Sequence, residues 1–172
     1  MAEHRESEPL AAIPRVIEEQ ARTVLARAVE QSAAIVTAES CTGGLLASLL
    51  TDIEGASRAF ERGFVVYSAE AKCELLSIEA ALIDRCGAVS EDVAVAMAKG
   101  ALAASRGDIA VAITGFAGPG APEDEEGLVH LAAVDRGGQI VHREIHLGAI
   151  GRGPVRERSL TVALDLLGEV LG

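Results

Sequence analysis

Two runs of almost purely apolar residues, Ala33 to Ala38 and Ile109 to Thr114, each break into a glycine-bearing turn, and this pattern narrows the fold more than any other feature. Both runs have strand length, carry β-branched residues and lack the polar alternation of a strand with one wet face. Continuous apolar strands of this kind belong to sheets covered by helices on both sides, where strands run largely parallel. Between and around them lie stretches with helical spacing. Ile17, Ala21, Val24, Leu25 and Ala28 recur on one face after Pro14, which can open a helix where its missing N–H costs nothing. Leu45 to Leu50 follows the first turn. Ser68 and Ser90 stand where a hydroxyl can cap the helices Ala69 to Leu76 and Glu91 to Ser105. Phe64 to Tyr67 is a further strand candidate. Leu128 to Val134 and Ile140 to Leu147 flank Asp135-Arg136-Gly137-Gly138 and predict a β-hairpin, followed by a helix from about Pro154 to Val170. Helices alternating with buried strands predict an α/β layered domain with a largely parallel sheet, closed by a hairpin.

The length of 172 residues, 49% of them hydrophobic, suits one compact domain, with residues 14–172 as its body and residues 1–13 as a disordered tail. A net charge of −11 and an aromatic content of 2% argue against nucleic acid as a partner, since both phosphate contacts and base stacking lack their usual residues. No uncharged run reaches the roughly 18 residues of a membrane span. Three cysteines, Cys41, Cys73 and Cys86, give no disulfide framework, and the first nine residues have no secretory character, so a cytoplasmic location is expected.

In sheets of this type ligands gather beyond the carboxyl ends of the strands. Three turns meet there: Glu39 to Gly44, Tyr67 to Lys72 and Thr114 to Gly120. Substrate contacts are therefore expected from Glu39, Cys41, Thr42, Gly43, Gly44, Thr114, Gly115 and Gly118. Ser40, placed where a strand breaks into a helix, is the nucleophile candidate, with backbone N–H groups around Thr42 to Gly44 available for a developing oxyanion. A serine needs a base, and His4, His130, His142 and His146 all lie elsewhere in the pattern. A neutral lysine can serve if burial lowers its pKa. The chain writes thirteen of its fifteen basic residues as Arg, which directs attention to Lys72 and Lys99; Lys72 follows the second strand. Tyr67 is positioned to relay the proton. Cys41 is a rival nucleophile, and each of these residues also has an ordinary structural use as cap, filler or surface charge. His142, Glu144 and His146 share one strand face, and read as a solvated edge rather than a metal site.

The stretch Thr37-Ala-Glu-Ser-Cys-Thr-Gly-Gly44 resembles the signature of the CinA C-terminal domain family, the nicotinamide-nucleotide amidases. The likeness continues through Gly63-Phe-Val-Val-Tyr-Ser-Ala-Glu-Ala-Lys72, Gly87-Ala-Val-Ser-Glu91 and Thr114-Gly-Phe-Ala-Gly-Pro-Gly120, in the family's order, over roughly residues 14–170. It implies a three-layer α/β/α sandwich that hydrolyses the carboxamide of nicotinamide mononucleotide (NMN) to nicotinate mononucleotide and ammonia, in pyridine-nucleotide (NAD) recycling. By position, it implies Ser40, Tyr67 and Lys72 as the catalytic residues, with no metal and no organic cofactor. It also implies a stand-alone form that self-associates as a homo-oligomer, and the family's historical name keeps a non-catalytic nucleotide-binding or competence-associated domain as the alternative to catalysis. Two departures stand out: Ala69 occupies a position where the family commonly has Asn, and the loop after Gly120 carries the acidic run Glu123 to Glu126, which disfavours a phosphate unless it points away.

Overall fold

The computed structural model describes residues 12–172; residues 1–11 of the expected tail, His4 among them, lie outside the described residues. Helix α1 (Arg15–Glu30) buries the five residues its spacing marks, Ile17, Ala21, Val24, Leu25 and Ala28. Strand β1 (Ile35–Glu39) is buried throughout, and β3 (Ile109–Gly115) is buried as far as Thr114. Helix α2 (Leu45–Thr51) and a short 3-10 turn (Ala56–Arg58) lead from β1 to β2 (Phe60–Val65). Three helices, α3 (Ala69–Leu76), α4 (Ala80–Cys86) and α5 (Glu91–Ala103), lead from β2 to β3. The chain ends in the hairpin β4 (Leu128–Asp135) and β5 (Ile140–His146) and helix α6 (Arg152–Leu171).

The five strands lie in the order β2-β1-β3-β4-β5. β2, β1 and β3 are parallel; β4 and β5 add antiparallel partners, so the sheet has a parallel core and an antiparallel flank. Side chains of the sheet feed two apolar cores. One packs Ile35, Val111, Ile113 and Leu131 against α1, α2 and α6; the other packs Val36, Ala38, Ala110 and Ala112 against α3, α4 and α5. The α/β/α layering is therefore present as expected. From β1 the chain steps first to β2 on one side and later returns to β3 on the other, which makes the carboxyl ends of β1 and β3 a switch point where a crevice opens.

Some boundaries differ from expectation for physical reasons. β2 begins at Phe60 and ends at Val65, earlier than the apolar run Phe64 to Tyr67 suggested. It is an edge strand with much of its surface exposed, so Glu61 and Arg62 are tolerated within it and blur the apolar signal. The short helix α4 carries a weak apolar stripe, with only Ile83 buried, and left no clear periodicity. Both predicted serine caps form: Ser68 Oγ accepts from Ala71 N at 3.1 Å and Ser90 Oγ from Val93 N at 3.3 Å.

Helix α5 lies so close to the end of α3 that a Cβ on Gly100 would sit 2.2 Å from the Leu76 carbonyl oxygen. Alanine is the better helix former by about 1 kcal/mol, yet here backbone stands in its way. Gly100→Ala is therefore expected to destabilise the fold by about 1–3 kcal/mol, read as a lowered calorimetric Tm; a raised Tm would show that α3 and α5 can part freely.

Candidate active site

The backbone past β1 is held from both sides. Ser40 N donates to Ile113 O at 3.0 Å, and Val66 N donates to Glu39 O at 2.8 Å, so hydrogen bonding continues one residue beyond the strand proper. This fixes Ser40 at the crevice. The turn that follows needs Gly43 (φ +63°) and Gly44 (φ +94°), since left-handed backbone strains other residues.

Lys72, one turn into α3, extends into the same place. Its amino group donates to Ser40 Oγ at 3.0 Å and to Val66 O at 3.0 Å, and the residue is 1% exposed. Burial disfavours the ammonium and pulls its pKa below the ordinary lysine value of 10.5; the groups working against this are the sulfurs of Cys41 and Cys73, not a carboxylate. A deprotonated Lys72 reverses the contact, with the serine hydroxyl donating into the nitrogen lone pair. The other lysine, Lys99, lies exposed on α5.

Around this pair lies a cavity of about 270 Å³. Of the residues expected to contact substrate, Cys41, Thr114, Gly115 and Gly118 line it, together with Ser40, Tyr67 and Lys72. Tyr67 stands at the rim, 68% exposed, with no hydrogen bond to Ser40 or Lys72 among the described residues. The lysine reaches the serine without a relay. Thr114 Oγ1 donates to Ala88 O at 2.8 Å and so ties the segment before α5 to the end of β3.

Glu39, Thr42, Gly43 and Gly44 do not line the cavity. Glu39 is 1% exposed and its carboxylate accepts from Gly44 N at 3.2 Å, Leu46 N at 3.0 Å and Ala47 N at 2.8 Å. It caps α2 from the strand, because Gly44 at the helix N-cap has no side chain to do so. The expected oxyanion donors also shift. Gly43 N is used by Ser40 O and Gly44 N by Glu39, whereas the N–H groups of Cys41 and Thr42 donate to no acceptor of another residue among the described residues. The free donors thus begin directly after the serine. Cys41 is buried beside it, and burial pushes its thiol up to about 11, with the Arg156 charge only partly offsetting this.

Sequence reasoning passed over Arg152 and Arg156, which α6 carries four residues apart on one face. Arg152 lines the cavity, with its guanidinium lying against Gly118 so closely that a Cβ there would be 2.8 Å from Nη2. Arg156 Nε donates to Cys41 O at 2.8 Å. A signal existed: the first turn of α6 holds no acid, and a cation there opposes the helix dipole unless it answers an anion. The acidic run stays out of the cavity. Asp124 closes its own turn on Ala121 N, and Glu125 is bonded to His146 Nδ1 at 2.6 Å, while Glu144 takes the other ring nitrogen at 2.8 Å. No group of three or more His, Cys, Asp or Glu among the described residues is arranged to hold a metal ion. No helix described is long and apolar enough to cross a membrane.

Comparison with known proteins gives a consistent set of relatives. The profile of the family described as CinA C-terminal domain matches residues 17–171. The nicotinamide-nucleotide amidohydrolase PncC of Escherichia coli (strain K12) is 47% identical over 140 residues, covering 80% of this chain and 84% of that one. A CinA-like protein of Mycolicibacterium vanbaalenii is 50% identical over 139 residues, but the match spans 80% of this chain and only 33% of the longer relative. Among solved structures, the competence/damage inducible protein CihA of Agrobacterium tumefaciens superposes with a TM-score of 0.91 at 42% identity, covering 94% of this chain and 99% of that one.

Two outcomes are expected from this geometry. Glu39→Gln leaves a buried N–H facing an amide nitrogen, which costs about 1–3 kcal/mol; calorimetry should show Tm lower by about 2–12 °C, and an unchanged Tm would remove Glu39 as the cap. Between the lowered Lys72 value and 10.5, the unfolded chain binds the lysine proton more tightly than the folded one, so the wild type gains stability as pH rises. Lys72→Met lacks that gain. The difference between their urea midpoints should shift in favour of the wild type from about pH 7 to about pH 10; parallel profiles would mean that Lys72 titrates as an exposed lysine does.

Proposed function

This chain belongs to the CinA C-terminal domain family, and on that premise we propose that it hydrolyses the carboxamide of NMN to nicotinate mononucleotide and ammonia, by way of a covalent ester on Ser40. The observation that carries this reading is the buried 3.0 Å contact between Lys72 Nζ and Ser40 Oγ. A desolvated amine beside a hydroxyl is a general base and its nucleophile already within reach.

In this mechanism neutral Lys72 takes the Ser40 proton as Oγ bonds to the carboxamide carbon. The carbonyl oxygen becomes an oxyanion, held by the free N–H of Cys41 with that of Thr42 behind it. Lys72 returns the proton to the amide nitrogen, the C–N bond breaks, and ammonia leaves. Water, deprotonated by Lys72, then attacks the nicotinoyl ester; the acid is released and Ser40 regains its proton. Val66 O keeps the lysine nitrogen in place through both halves. Tyr67 at the rim offers a ring face to the pyridine. The phosphate is assigned to Arg152 and the loop Ala117 to Gly120, a guanidinium against glycine-bearing backbone, with Glu125 drawn off by His146.

The reading based on Cys41 is weakened by its environment. A thiol held at about 11 is ionised to the extent of only on the order of 10⁻⁴ at neutral pH, and Lys72 Nζ is hydrogen-bonded to Ser40 and Val66, not to this sulfur. The small-molecule substrate and the place of the reaction in nucleotide recycling follow from the same proposal.

The test is ammonia release from NMN by the purified protein. Ser40→Ala is expected to abolish it while the Tm stays within a few degrees of wild type, and Lys72→Arg is expected to be inactive despite keeping a cation, since a guanidinium does not deprotonate. Turnover by the alanine variant at near the wild-type rate would end the serine mechanism; an active arginine variant would end the role of Lys72 as base.

A further inference from the structure

Every peptide group in the turn after Ser40 has a backbone or Glu39 partner except one. Ser40 O accepts from Gly43 N, Thr42 O from Leu45 N, and Gly44 O from Ser48 N. The peptide joining Cys41 to Thr42 differs: its N–H donates to no protein acceptor among the described residues, and its carbonyl accepts only from Arg156 Nε, at 2.8 Å. Arg156 reaches this turn from α6, 115 residues away in sequence and packed in the same helical layer as α2. Its terminal nitrogen also lies over Gly43, 3.7 Å from where a Cβ would stand, so no side chain intervenes between guanidinium and turn.

A trans peptide is planar, with its carbonyl and N–H pointing in opposite directions. Whatever fixes the Cys41 carbonyl therefore fixes the direction of the Thr42 N–H. A cationic donor does more than a neutral one: its hydrogen bond is stronger, and it polarises the peptide so that the far N–H becomes a better donor. From this geometry we infer that Arg156 is a positioning residue, which orients and polarises the Cys41–Thr42 peptide so that its N–H serves the oxyanion of the reaction at Ser40. The inference rests on the amidase reading above. It makes Arg156 a contributor to the transition state rather than to substrate binding, and it separates the two arginines of α6: Arg152 faces the cavity, Arg156 faces the backbone that serves it.

Steady-state kinetics on NMN with Arg156→Gln and Arg156→Lys test it. Removing an oxyanion donor outright costs about 10² to 10³ in rate, so freeing one to rotate should lower kcat about 10- to 100-fold in Arg156→Gln. KM is expected to stay within about 3-fold, because the loss falls on the transition state. Arg156→Lys keeps a cation and a donor and should recover part of kcat. Deuterium exchange of the amides of residues 40–44 is expected to quicken in Arg156→Gln, with α1 unchanged. A wild-type kcat in Arg156→Gln, a change confined to KM, or no recovery in the lysine variant would each overturn the inference. Should Arg156→Gln melt below the assay temperature, the lysine variant carries the kinetic test alone, with a kcat drop at constant KM expected. If the wild type releases no ammonia from NMN, the amidase reading fails by itself; the exchange measurement then still decides whether Arg156 holds the turn, and unchanged exchange at 40–44 would overturn that too.

Discussion

A lysine nitrogen enclosed with one serine hydroxyl and one carbonyl oxygen is a poor place for a charge, and the rest of the site is arranged around that fact. Lys72 is among the largest fully buried side chains of the protein, and no carboxylate compensates it. An acid beside it would hold the ammonium and cancel its use as a base. The structure keeps its nearby acid, Glu39, occupied with three backbone N–H groups on the far side of the turn. The burial that lowers the Lys72 pKa also disfavours the folded state at any pH where the amine would rather be charged. That conflict between stability and reactivity is common where a group is held away from its preferred protonation state.

The turn after β1 solves a second problem, the placing of free N–H donors next to Ser40 without leaving a helix end unsatisfied. A helix start exposes four orphan N–H groups. Here Glu39 satisfies those of Gly44, Leu46 and Ala47, while Leu45 N is taken by Thr42 O. Only the two N–H groups directly after Ser40 remain open. The division of labour is strict: the acid serves the helix start, and the two N–H groups next to Ser40 are left without a backbone partner. The acidic loop is tied down away from the cavity in the same way: His146 on β5 sits between Glu125 and Glu144, and each of them raises its pKa.

How much of this was legible beforehand depends on the range of each interaction. The buried face of α1 could be read residue by residue, because a 3.6-residue period is a local property. The caps Ser68 and Ser90 were equally legible, each bonding three residues ahead. The apolar run Phe64 to Tyr67 marks only the end of β2, since an edge strand need not be apolar along its whole length. Glu39 looked like a ligand-binding acid because its residue type and position suited that use; that it turns to its own backbone depends on side-chain direction, which alternates along a strand and is set by what packs on each face. The scarcity of lysine pointed to two residues, of which one is buried in the site and the other is ordinary surface.

What the sequence determined by itself is the local syntax: buried strands ending in turns that need glycine, a serine at one such turn, and capped helices between them, all dictated by backbone sterics and periodicity within a few residues. What only the tertiary structure decided is which groups meet. Ser40 and Lys72 are 32 residues apart, Cys41 and Arg156 are 115 apart, and whether an amine reaches a hydroxyl directly or needs the phenol of Tyr67 turns on distances of about 1 Å. Those distances come from two helical layers packing against one sheet, a condition that no short window of sequence contains.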